Sequence, residues 1–307
     1  MTSQSQPPFS PRLAIPFGIL AVSTASIFIR YAQVYASSIV IAAARLTLAS
    51  LVLAGIVLVR HRSDLRALSR RALWLALLSG FFLAIHFGTW ITSLAYTTVA
   101  SSVVLVATTP LWVAMVAPWV IDEPISRPVL IGMILAMLGG IVVALSDSCA
   151  LVGGALVCPP LADFIAGKAF WGDLLALIGA WTGAAYLIIG RRLREELPLI
   201  PYIFLVYGMA ALLLNLFMLL IGETPFGYPS QTYLWFVLLA LVPQLLGHST
   251  FNWALRYLPA AYVSITLLGE PVSSAILAYF LLGEIPSMLM VFGAILILAG
   301  IYLAGRR

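Results

Sequence analysis

Residues 96–124 read YTTVASSVVLVATTPLWVAMVAPWVIDEP, and residues 257–285 read YLPAAYVSITLLGEPVSSAILAYFLLGEI. The second stretch is the first displaced by 161 residues, without a gap. Tyr96 answers Tyr257, Ala100 answers Ala261, Pro110 answers Pro271, Ala114 answers Ala275, Ala117 answers Ala278 and Glu123 answers Glu284. The register continues through Ser126 and Ser287, Gly132 and Gly293, Leu135 and Leu296, and Gly139 and Gly300. Matched alanines carry little weight in a chain that is 63% apolar. Matched prolines inside apolar runs, glutamates at run ends and paired glycines on the last run of each half carry more. The chain reads as a duplication.

Composition says what is duplicated. Only 9% of the 307 residues are charged, and the mean hydropathy is +1.09. A soluble domain carries about a quarter charged residues, so a water-soluble globule is excluded. Ten apolar runs are about the length that crosses a hydrocarbon core: 13–34, 37–59, 72–95, 99–121, 127–146, 171–190, 200–221, 231–254, 261–282 and 287–305. The expected fold is therefore an all-α polytopic membrane protein of ten transmembrane helices. Residues 1–12 are a polar tail, 13–146 a first five-helix repeat, 147–170 a loop and 171–307 a second repeat. The tail lacks the basic start and cleavage site of a signal peptide, so the first run is expected to be retained. Five is odd, so the second repeat enters the membrane upside down. Secondary transporters use inverted repeats of this kind to expose one site to either side, although duplication also builds scaffolds that transport nothing.

The basic residues orient the chain. With the N-terminus cytoplasmic, the inner segments hold Arg12, Arg60, Arg62, Arg66, Arg70, Arg71, Arg127, Arg191, Arg192, Arg194, Arg256, Arg306 and Arg307, which is thirteen of the sixteen Lys and Arg. That bias puts both termini in the cytoplasm and accounts for the pI near 9.4 without nucleic acid as a partner. Lys168 falls outside, and Arg30 is expected to snorkel to the outer surface. The outer loop carries both cysteines, Cys149 and Cys158; a disulfide in an oxidising compartment and two free thiols are both open readings.

Polar residues recur along single faces of several runs. Tyr262, Thr266, Glu270 and Ser274 are spaced by four, as are Gln244, His248 and Asn252; such spacing is one side of a helix. The third run carries Ser79, His86, Trp90 and Ser93, the sixth Trp181 and the less aligned Tyr186, and the seventh Tyr207 and Asn215. Glu270 lies roughly 13 Å from the inner end of its run, near mid-bilayer, where a carboxylate is costly and is usually functional or paired. Arg45 lies roughly 12 Å from the outer end of the second run, among the small residues of IVIAAARLTLA. An inward-facing Arg45 would bind an anion or a carboxylate; a snorkelling one would bind nothing. Pro110 and Pro271 should break their helices and free the carbonyls of Val106 and Leu267. Taken together, the stripes should converge on a polar cavity.

Energy and chemistry are narrowed by what is missing. No GxxxxGK[ST] loop for ATP and no HExxH pair for zinc occurs, so no cofactor or metal is expected. An enzyme using Glu270 with His248 as acid and base is a remote alternative, since no nucleophile motif accompanies them.

Ten runs in two halves, the span-two arginine in AAARLTLASLVL, and PLWVAMVAPWVIDEP answered by EPVSSAILAYFLLGE resemble the EamA family of the drug/metabolite transporter superfamily. SIFIRYA, GRRLR and PQLLGHSTFNWALRYLPAAYVSITLLGEP look like one bacterial branch. The resemblance covers about 13–146 and 171–305. It implies an alternating-access carrier in the bacterial inner membrane, commonly an exporter of amino acids or other small metabolites. It also implies a cavity among the first, third, fourth, sixth, eighth and ninth helices, with the fifth and tenth outside. Carried over, the substrate-binding residues are His86, Trp90, Trp181, Tyr186, Gln244, His248, Asn252 and Glu270, with Arg45 matching the family's span-two arginine. A proton is a candidate coupling ion, suggested by Glu270 and the histidines. Multidrug efflux and lipid or lipophile translocation remain alternatives.

Overall fold

The computed structural model describes residues 10–121, 127–146, 149–153, 155–258, 260–267 and 269–304. Glu123 and Ser126 of the repeat, and Arg306 and Arg307 of the charge pattern, lie outside the described residues. The helices are α1 (Pro11–Ser23), α2 (Ala25–Ala32), α3 (Ser38–Arg60), α4 (Arg62–Arg66), α5 (Arg70–Ser93), α6 (Val99–Val106), α7 (Thr109–Ile121) and α8 (Arg127–Ser146). They continue as α9 (Leu161–Ala166), α10 (Lys168–Arg194), α11 (Leu199–Leu220) and α12 (Ser230–Leu239), a π-helix (Ala240–His248), α13 (Ser249–Ala254), α14 (Ala260–Thr266), α15 (Gly269–Leu282) and α16 (Met288–Ala304). Capping follows local chemistry. Ser37, Ser69 and Thr98 accept hydrogen bonds from the Val40, Ala72 and Ser101 amides at 3.4, 3.1 and 3.1 Å, each satisfying an orphan donor of a helix start.

Among the described residues, eight helical stretches are long and apolar enough to cross a membrane: Leu13–Ala32, Ser38–Arg60, Arg70–Ser93, Val99–Val116, Lys168–Arg194, Leu199–Leu220, Ser230–Ala254 and Ala260–Leu282. The fifth and tenth expected spans contain shorter apolar helices, Leu130–Val143 and Met288–Gly300. These two, in α8 and α16, pack on each other. A Cβ on Gly139 would lie 2.7 Å from the Gly293 carbonyl oxygen, and one on Gly300 would lie 2.5 Å from that of Gly132. The contact order is antiparallel, and only glycine lets the backbones approach so closely.

Several runs read as single helices are interrupted. Between α1 and α2 the Ser23 and Thr24 hydroxyls donate back to the Ile19 and Ala21 carbonyls at 2.7 and 2.8 Å, an arrangement that bends helices. The breaks between α6 and α7, and between α14 and α15, fall just before Pro110 and Pro271, so each proline sits in a first turn, where its missing N–H matters least. Pro110 cannot serve the Val106 carbonyl, and the Thr109 hydroxyl donates to it instead at 2.7 Å. Pro271 cannot serve that of Leu267, which takes the Glu270 amide at 2.9 Å. In the eighth run Pro243 likewise withholds a donor; the Ser249 amide reaches back five residues to the Gln244 carbonyl, and the turn widens into the π-helix.

The purely helical expectation is corrected in one place. Ala150–Val152 and Ala155–Val157 pair as a small antiparallel hairpin, Ala150 opposite Val157. Gly153 occupies its turn with φ +59°, a conformation favouring glycine, and a Cys149–Cys158 disulfide closes its base.

Candidate functional site

Helices α5 and α10 come together through glycines. Cβ atoms on Gly172, Gly179 and Gly183 would meet Thr97 at 2.9 Å, Trp90 at 3.3 Å and His86 at 3.0 Å. The space left by Gly183 is therefore filled by the His86 ring. His86 Nδ1 is 2.8 Å from the Gly179 carbonyl oxygen; that oxygen can only accept, so Nδ1 carries the proton and Nε2 is the ring's remaining polar atom. Trp90 lies parallel to His86, with ring centroids 6.1 Å apart.

These two residues line a partly open cavity of about 670 Å³, counting the space at its mouth. Its wall continues with Val106, Ala107, Thr109 and Pro110 at the first helix break and Gly183, Tyr186 and Leu187 on α10. His248 and Phe251 follow from the eighth span, then Leu267 and Glu270 at the second break. Both helix breaks thus open onto the same space, and the repeat-matched residues Thr109 and Glu270 both face it. Among the described residues no side chain forms an ion pair with Glu270, and no three of His, Cys, Asp and Glu gather to hold a metal ion.

Behind this wall lies Arg45, 0% exposed. Its Nε donates to Gln244 Oε1 at 2.8 Å, and its Cζ sits 4.2 Å from the centroid of the Phe87 ring, a cation–π contact. Phe87 in turn meets the His248 ring at 5.2 Å between centroids and the His86 ring at 4.9 Å. Arg45 therefore sits one aromatic layer from the cavity, and Gln244 beside it.

A second buried network runs along the eighth span. The Tyr186 hydroxyl donates to Asn252 Oδ1 at 2.7 Å, and Asn252 Nδ2 donates to the Tyr207 hydroxyl at 3.2 Å and the His248 carbonyl at 2.9 Å. Tyr207 and Ser249 hydroxyls are 3.3 Å apart. Asn252 is thus a strut behind the cavity, holding Tyr186 at its edge.

Of the sequence-predicted residues, His86, Trp90, Tyr186, His248 and Glu270 line the cavity together with Pro110. Arg45, Gln244 and Asn252 stand behind it. Trp181 does not join them: it is 43% exposed and packs edge-to-face on Trp112 at 5.2 Å, because it lies on a different face of α10 from Gly183 and Tyr186. The stripe through Tyr262, Thr266, Glu270 and Ser274 also dissolves. The break near Leu267 ends the continuous helix that its spacing assumes; Tyr262 is exposed and Ser274 donates to the Ser23 carbonyl at 3.1 Å. No residue of the first span lines the cavity, and Arg30 is held in an ion pair with Glu284 instead of reaching freely for the surface. Phe87, Leu187 and Phe251 escaped the sequence reading, which followed polar stripes.

The EamA-like transporter family matches residues 13–145 and 170–306 of this chain. An uncharacterized transporter of Archaeoglobus fulgidus is 21% identical over 216 residues, 70% of each chain. The uncharacterized transporter YdfC of Bacillus subtilis is 23% identical over 198 residues, 64% of this chain and 59% of its own length. A protein crystal structure superposes with a TM-score of 0.67 at 18% identity, covering 96% of both chains; likeness at that identity speaks to the fold alone.

Proposed function

The chain belongs to the EamA-like transporter family, and from that premise we propose that it is a secondary transporter exporting small metabolites, amino acids first among them. Transport would proceed by alternating access through the cavity between the two helix breaks. The observation that carries this reading is Glu270: a carboxylate beside a proline-broken helix, lining a cavity deep in an apolar bundle. Intramembrane carboxylates in such places serve substrate or ion pathways. In this reading Glu270 contacts an amino group of the substrate or changes protonation during the cycle. His86, Trp90 and Tyr186 supply hydrogen bonds and flat contact area.

The underlying architecture we propose is ten helices in two inverted repeats, 13–146 and 171–307. Its support is the exchange of glycines between α8 and α16. Gly139 meets Gly293 and Gly132 meets Gly300; under the 161-residue correspondence each contact becomes the other, as a two-fold axis requires. Both termini would lie in the cytoplasm of a bacterial cell, with the Cys149–Cys158 hairpin on the oxidising side.

Efflux of labelled amino acids from proteoliposomes tests the proposal. Failure of every amino acid to move against an empty-liposome control would remove the substrate class, and unchanged flux in Glu270→Gln would remove that residue's role. A flux indifferent to an imposed pH gradient would eliminate proton coupling. The apolar wall of Leu187, Phe251 and Leu267 favours, as a second reading, efflux of lipophilic compounds; broad resistance in an overexpressing strain would support it.

A further inference from the structure

Arg45 presents a problem that the cavity alone does not resolve. Its Nη1 and Nη2, and Nε2 of Gln244, are buried and meet no acceptor among the described residues. Each of these three nitrogens carries two hydrogens and accepts nothing. Taking a guanidinium out of water costs several kcal/mol unless an anion or well-placed acceptors replace its hydration. One cation–π contact and one hydrogen bond, both already described, leave its outer two nitrogens unmet, and no ion pair to Arg45 occurs among the described residues. Gln244 Oε1 already accepts the Nε bond, and the unmet atom of the amide, Nε2, can only donate.

We infer that Arg45 and Gln244 form a carboxylate subsite behind the cavity wall, with Phe87 as the door between them; this rests on the transport reading above. The planar guanidinium fork matches a carboxylate with two parallel N–H···O bonds, and Gln244 Nε2 supplies a further donor. A monoanion neutralises the single positive charge, whereas a phosphate dianion would leave a net negative charge close to Glu270. Phe87 carries Arg45 over its face and meets the cavity-lining His86 and His248 rings in edge-to-face contacts. Rotation of that one ring joins the subsite to the cavity. A ligand then reaches Arg45 with its carboxylate while its remainder stays beside Glu270.

The test uses the purified full-length protein in nanodiscs and a panel of common amino acids, their amino amides, short monocarboxylates, inorganic phosphate and sodium chloride. Thermal shift finds the binders and calorimetry measures them. Compounds bearing a carboxylate should bind about tenfold or more tighter than their amides, the loss expected when a charge-assisted bidentate pair is removed. Arg45→Gln should bring acid and amide to within about twofold of each other, and Arg45→Lys, which keeps charge but not the fork, should fall between. Gln244→Glu covers the case in which Arg45→Gln does not fold. It places an anion on Arg45 from within the chain, so the protein should melt higher than wild type while losing its preference for acids. A merely structural Arg45–Gln244 pair would show no such preference to lose. Amides binding as well as acids, response to phosphate or chloride alone, or no binder in the panel each overturn the subsite. Acid-selective binding without flux in proteoliposomes would instead strike the transport reading and leave the subsite standing.

Discussion

Arg30 Nη2 lies 2.8 Å from Glu284 Oε1, while Arg30 Nη1 donates to the Leu94 carbonyl at 2.7 Å and Glu284 Oε2 accepts the Val99 amide at 2.9 Å. One ion pair thus ties the end of α2, the end of α5, the start of α6 and the turn after α15 together. All eight residues of α6 are buried beneath it. The pair therefore acts as a clasp between helices at the bundle end away from the chain termini.

Opening at that end must break the clasp. Glu284→Gln or Arg30→Gln should raise the rate at which a maleimide labels a cysteine placed at Ser101, buried in α6. The native cysteines are bonded to each other and do not compete. Both partners are partly exposed, so a double-mutant cycle should give a coupling of about 1 kcal/mol. Labelling that is equally slow in both single variants would show that the pair restrains nothing.

Asn252→Leu should be the costlier change behind the cavity. It strips the buried Tyr186 hydroxyl of its acceptor, at about 1–3 kcal/mol for a group left unsatisfied, and removes one partner of the Tyr207 hydroxyl while Ser249 remains beside it. Tyr186→Phe deprives only Asn252 Oδ1 of its donor and should cost less. Thermal melts of the two variants rank them, and the reverse order would refute the strut.

Gly183→Ala places a methyl about 3.0 Å from His86 Nδ1, so the ring must shift from the Gly179 carbonyl. Ligand affinity should fall several-fold with little loss of stability. Gly208→Ala, where nothing lies within 4 Å, is the matched control. Equal affinities in both variants would mean that the position of His86 does not matter.

Gly139→Ala separates stability from binding. Its methyl would press on the Gly293 backbone, which cannot move aside, and crowding of this kind costs about 1–3 kcal/mol. No described residue of α8 or α16 lines the cavity, so the melting temperature should drop while ligand affinity stays unchanged. A variant that melts like wild type would contradict the tight crossing.

The membrane class and the helix breaks were legible because they depend on composition and on proline, whose missing N–H acts locally. The paired glycines were legible because a repeat marks them twice. Side-chain direction was less so. Spacing by four holds for an uninterrupted α-helix, and both Pro271 and Pro243 interrupt the runs whose stripes were being read. Glu270 and His248 reach the cavity, but Tyr262 and Ser274 do not follow them. The small residues around Arg45 are compatible with the buried, inward position that it takes, but do not exclude a snorkelling one. That Phe87 stands between it and the cavity has no sequence signal, because an aromatic residue in an apolar run looks like any other packing residue.

The widened turn at Ala240–His248 also decides which kind of genetic change this span tolerates. A substitution there alters one side chain. Deleting one residue would let the Ser249 amide reach back four positions, restoring an ordinary helix whose faces on either side keep their directions, because the widened turn had absorbed the extra residue. Asn252 would stay directed at Tyr186 and Tyr207, and its carbonyl at the Arg194 Nε that now donates to it at 3.0 Å. The same deletion in the regular helix of Ser230–Leu239 or Ser249–Ala254 has no such reserve and would turn everything beyond it by roughly 100°.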